Sequence, residues 1–126
     1  MRKLSILLLS LLFISCQNYL EPVKNEKEML LSECSSQIET WRQDCSEYLK
    51  QLETFEDDES KQLAKDIEHF LSDVSLFAST IIEYRNNYDY ASCNTHMLLI
   101  SFKEKLNQTF EEITEMFFHR KHINNG

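Results

Sequence analysis

The sequence predicts an all-α fold: an up-down-up antiparallel three-helix bundle with coiled-coil-like packing. Three observations predict it. Apolar residues recur at alternating steps of three and four in separate stretches, the spacing that lines one face of a helix. One Gly and one Pro among 126 residues leave little of the punctuation that tight hairpins require. The breaks between stretches are short and polar, which places successive helices antiparallel. A chain of this length holds one domain.

Residues 1–15 stand apart from the bundle. Arg2 and Lys3 form a positive head, and Leu4 to Ile14 is apolar except for Ser5 and Ser10. That run is far shorter than the roughly 20 residues of a membrane-spanning helix, and it matches the apolar region of a cleaved signal peptide. An ordinary signal peptidase requires small residues at the first and third positions before its cut. Cutting after Ser15 places Phe13 at the third position, and cutting after Cys16 places Ile14 there.

The segment Leu12-Phe13-Ile14-Ser15-Cys16 resembles the lipobox of small bacterial lipoproteins. In that signal an aliphatic residue, a small or aliphatic one, and Gly, Ala or Ser precede an obligatory cysteine; Ile14, Ser15 and Cys16 fit, and Phe13 stands where Leu is usual. The resemblance covers these residues and no others. It implies removal of residues 1–15, a diacylglycerol thioether on Cys16, and usually a further acyl chain on the new amino terminus. It also implies export to the cell envelope. Gln17 rather than Asp after the cysteine implies the outer membrane by enterobacterial sorting. Each buried CH₂ contributes about 0.8 kcal/mol, so two or three chains hold a protein at a bilayer durably. Residues 16–27 then read as a lipidated terminus and tether, containing Pro22. Roughly ten extended residues reach about 30 Å.

The first helix is expected over about 28–55. Its seam is Leu31, Cys34, Ile38, Trp41, Cys45, Tyr48, Leu52 and Phe55, without a missed step. Phe55 to Ser60 breaks it, with Asp57 or Asp58 placed to cap the next helix and Glu59 favourable at its positive end. The second helix is expected over about 59–84, on Leu63, Ile67, Phe70, Val74, Phe77, Ile81 and Tyr84, widened by Leu71 and Ala78. Arg85 to Asn94 breaks that seam. The third is expected over about 95–120, on Leu99, Phe102, Leu106, Phe110, Ile113 and Phe117, supported by Met97, Leu98 and Met116. His119 to His122 complement a helix C-terminus, and residues 123–126 fray. The bundle as a whole spans 28–122.

Four cysteines become three once Cys16 is lipidated. Cys34 and Cys45 are eleven residues apart on one helix, about 16 Å, which is too far to bridge. In an up-down-up bundle the first and third helices run parallel, so Cys93 lies at the same end as Cys34. A Cys34–Cys93 disulfide is the expected pair. It closes a loop of about 60 residues, stabilising by roughly 4 kcal/mol on a chain-entropy account. Cys45 is then a small buried hydrophobe.

No pattern carries catalysis. The only Gly is terminal, so no glycine-rich phosphate loop exists. Cys93-x-x-His96 and His119-x-x-His122 each supply two ligands, but they fall at opposite ends of one helix, where zinc needs four together. The inward Glu-x-x-His pairs of a di-iron bundle are missing. No cofactor and no metal are expected, and the chain is not expected to be an enzyme.

The net charge is −8, and loss of Arg2 and Lys3 leaves about −10. Such a surface repels phosphate backbones and anionic lipid, which removes nucleic acid as a partner and leaves the lipid as the membrane contact. The segment Tyr84 to Tyr90 is rich in residues found at interface hot spots, making Tyr84, Arg85, Tyr88 and Tyr90 the expected partner-binding set; the competing reading has these tyrosines covering the bundle end. A heptad register also permits a homo-oligomer. The expected function is a membrane-anchored envelope lipoprotein acting as a non-catalytic interaction module. The alternative is a freely secreted helical ligand, cytokine-like or host-directed, although helical cytokines have four helices and only three are counted here.

Overall fold

A computed structural model describes the backbone of residues 20–86 and 92–125, and the side chains of 26–86 and 94–125. The expected signal segment, Cys16, Tyr88 and Tyr90 lie outside the described residues. The described chain forms three helices, α1 (Leu20–Leu52), α2 (Asp58–Asn86) and α3 (Ser92–Asn125), packed as a three-helix bundle.

Side-chain pairs fix the topology. Glu33 meets Lys103, and Tyr48 meets Thr114, so α1 and α3 run parallel. Arg85 reaches Ser35, and Arg120 reaches Asp57, so α2 runs against both neighbours. The arrangement is up-down-up.

The seams form the core. Every α1 seam residue from Leu31 to Leu52 is buried, as is every α2 seam residue from Leu63 to Tyr84; Phe55 is half-buried. Trp41 has no exposed surface. Phe70 meets it edge-on at 5.9 Å between centroids, and Phe77 at 6.1 Å, spacings at which ring pairs add to simple burial. Further along, Tyr48 stacks on Phe117 at 4.2 Å, and its hydroxyl pairs with Thr114 Oγ1 at 3.2 Å. The third seam is looser. Leu99, Leu106, Ile113 and Phe117 are buried, while Leu98 and Met116 are exposed at 68% and 48%. They flank the seam rather than join it.

α1 starts earlier than expected, at Leu20, and also ends earlier, at Leu52 rather than 55; α2 gains one residue before and two after its expected span; α3 runs from Ser92 to Asn125, so 123–125 continue the helix rather than fray. The seams of α1 and α3 continue into polar residues at the next register step. Lys27 stands four residues before Leu31, His96 three before Leu99, and Arg120 three after Phe117. Lys27 and His96 are buried at 5% and 3% exposure, and the Arg120 side chain is 12% exposed. The tether expected over 16–27 is therefore helical from Leu20 onward. Pro22 falls in the first turn, where an amide has no intrahelical acceptor to lose.

Asp57 caps α2. The Ser60 amide donates to Asp57 Oδ2 at 2.9 Å, and the Ser60 hydroxyl donates to both carboxylate oxygens. This is the N-cap to third-residue bond that satisfies an orphan amide. Arg120 closes the arrangement from α3 by pairing with Asp57 at 3.1 Å and with Glu59. The Ser60 bonds foremost, with Asn124 and Arg120 adding, hold the Asp57 carboxyl down at about 2.

Candidate functional site

The expected site at the α2–α3 connection is divided by the structure. Tyr84 is not available to a partner: it is 1% exposed. It occupies the last α2 seam position, and its hydroxyl shares a 2.7 Å hydrogen bond with His96 Nδ1. Lys27 Nζ lies 4.4 Å from the centre of its ring, a cation–π geometry. Burial, with Glu26 adding, pushes the Tyr84 phenol well above its ordinary value. Burial first, and then Lys27, hold the His96 imidazole below its ordinary value. This end of the bundle is thus closed by Lys27, Tyr84 and His96, one from each helix. Arg85 is the described member of the set that faces solvent, and its guanidinium meets Ser35 Oγ at 3.5 Å.

The cysteines are structural. Cys34 and Cys45 are free thiols with no exposed surface. Cys34, the described half of the expected bridge, sits on the inward seam of α1 as a free thiol. The Cys93 side chain lies outside the described residues. Burial raises Cys34 to about 11 and Cys45 to about 12, so both stay as thiols at neutral pH and are poor nucleophiles.

A concave feature among the described residues lies elsewhere. A groove runs along the seam between α2 and α3, in two successive hollows of about 270 and 240 Å³ that share Leu63, Asp66 and Met116. In the first hollow Phe70 and Ile113 join Leu63 and Met116 as the apolar floor, and Asp66, His69, Asp73 and Glu112 form the rims. In the second, Glu59, Gln62, His119 and Arg120 surround the shared residues. On the α3 side Thr109 and Met116, both exposed beside the seam, line the groove. His69 Nε2 lies 3.9 Å from Asp73 on the solvent side.

No family model, curated protein or solved structure matches this chain. The functional reading therefore rests on its own residues. Among the described residues no group of three or more His, Cys, Asp or Glu is placed to hold a metal ion, and no helix is long and apolar enough to cross a membrane.

Sequence reasoning missed the groove because its residues are split between two helices and share no motif. One signal was present. Asp66, His69 and Asp73 on α2, like Thr109, Glu112 and Met116 on α3, are spaced by three and four beside the seam, so each set forms a row facing the neighbouring helix.

Proposed function

We propose that this chain is an exported, lipid-anchored module that binds another protein through the surface of its helical bundle. The observation that carries the binding half is the α2–α3 groove, an apolar floor open to solvent between charged rims. Concave sites with apolar linings and a few polar groups are where partners dock. The anchoring half is supported by the lipobox-like residues ending at Cys16. The start of α1 at Leu20 sharpens it. Only residues 17–19 separate the lipidated cysteine from the helix, so the anchor holds the bundle within about 13 Å of its attachment point, rather than on a long tether.

Detergent-phase partition of the full chain expressed in a bacterium tests the anchor. Wild type enters the detergent phase, and Cys16→Ser stays in the aqueous phase. Equal partition of the two into the aqueous phase favours the second reading, a freely secreted helical ligand, for which the supporting feature is Phe13 at the position where a lipobox usually carries Leu.

A further inference from the structure

The groove between α2 and α3 carries enough information to name the chemistry of its occupant. We propose that it receives a cationic amphipathic helix of a partner protein. The inference rests on the interaction-module reading and specifies the surface and the partner that reading leaves open.

The shape comes first. From Glu59 to Asp73 the groove follows fifteen residues of α2, about 21 Å over fourteen helical steps, the length of a four-turn helix. Its two hollows follow one another along that line. An amphipathic helix presents its apolar anchors at i, i+3 or i+4 and i+7 along one face, so successive anchors meet successive hollows. Met116 stands between the hollows with half its surface exposed, and a flexible thioether adapts to the shape of an incoming side chain. Ile123, seven residues on and 50% exposed, extends the same row.

Charge selects among occupants. Glu59, Asp66, Asp73 and Glu112 line the groove, and Arg120 is the one lysine or arginine among its lining residues. The Arg120 guanidinium is already engaged by Asp57 and Glu59. Lys105, one turn before Thr109 on α3, is not among the lining residues. A second copy of this acidic chain would bring carboxylates against carboxylates, and an anionic lipid surface would do the same. A helix with leucine-like anchors flanked by lysine or arginine satisfies both floor and rims, and complementary potentials also speed its encounter.

The test uses the full mature chain carrying Cys16→Ser, which keeps every groove residue. The probe is an eighteen-residue Leu/Lys peptide with leucines on one helical face. Its controls are a scrambled peptide of the same composition and a Leu/Glu peptide with the same pattern. The patterned cationic peptide should bind at least about tenfold more tightly than either control. Amide shifts should concentrate at residues 62–73 and 109–119. Asp66→Lys with Glu112→Lys should weaken binding about tenfold or more, while Glu39→Lys with Glu47→Lys, the same charge change on the exposed face of α1, should change it less than about twofold. Three results would overturn the proposal: equal loss in both double variants, equal binding of the scrambled peptide, or tighter binding of the Leu/Glu peptide. Dimerisation of the chain that is lost on Met116→Lys would overturn it too, by assigning the groove to a second copy. Detergent-phase partition of the wild-type chain is read separately. A lipid-anchored chain with an inert groove retires the groove alone, and a groove-binding chain without lipid retires the anchor alone.

Discussion

At the scale of single residues, the polar groups on the seams govern how the protein responds to its surroundings. His96 is folded in its neutral form, because burial and Lys27 lower its affinity for a proton. The unfolded chain takes up that proton near the ordinary value of 6.5; the folded chain does so only at lower pH. The stability His96 contributes is therefore complete above 6.5 and is lost as pH falls below it. The thermal midpoint is expected to drop between about pH 7 and pH 5, and His96→Gln is expected to lessen that drop. Asp57 does not interfere, since its contribution is present above its ordinary 3.8 and is lost only as pH falls from there toward about 2. The thiols give a second expectation. At about pH 8 an aromatic disulfide reagent should leave Cys34 and Cys45 unmodified in the folded chain and react with both in denaturant. Reaction of either in the folded chain contradicts their placement. Trp41 gives a third. Truncation to Ala removes a side chain with no exposed surface, and by denaturant unfolding should cost about 3–5 kcal/mol, whereas Leu98→Ala on the surface should stay within about 0.5 kcal/mol.

At the scale of elements, the apolar steps located most of α1 and α2 because an unbroken alternation of three and four leaves one face to bury. They were less informative for α3. Leu98 and Met116 are apolar and adjoin the seam, yet a flanking position does not reveal which side the neighbouring helix covers. An apolar seam stops at its first polar residue, whereas the buried face continues while that residue finds a partner. This hid Lys27, one residue before the expected start of α1; His96 and Arg120 lay within the expected 95–120, but the apolar steps did not show that they are packed inward. Lys27 finds the Tyr84 ring, His96 the Tyr84 hydroxyl, and Arg120 the cap of α2. Extending each seam by one step regardless of polarity reaches all three residues. The same logic moved Tyr84 from an expected contact surface to the core, since it completes the α2 seam. Arg120 gives this scale its test. It joins the last turns of α3 to the first turn of α2, so Arg120→Ala should lower the thermal midpoint by several degrees more than Lys121→Ala. It should also increase amide exchange at residues 57–61, which a merely local loss of packing in α3 would not do.

At the scale of the whole molecule, the described part of the bundle has two unlike ends and an open groove along the side between α2 and α3. The end near residues 20–27, 86 and 92–96 is closed by Lys27, Tyr84 and His96 and is the one that the proposed anchor attaches to. The other end is tied by Asp57, Ser60 and Arg120. The groove opens along the side between α2 and α3, facing away from α1. On the proposed reading, a chain held by its first residues would offer a partner its flank, and the apolar floor and acidic rims lie there. The fold was legible because bundle packing repeats locally along the sequence. The groove was not, because it is made by the juxtaposition of two rows on different helices. The anchor rests on residues 12–16 and decides whether this flank works at a membrane surface or free in solution. The intact mass of the mature protein from the bacterium that expresses it measures that most directly. The account predicts a chain beginning at Cys16, with residues 1–15 removed and a diacylglyceryl group, with or without a further acyl chain, added. A mature chain that begins at Gln17 and carries no lipid would contradict it.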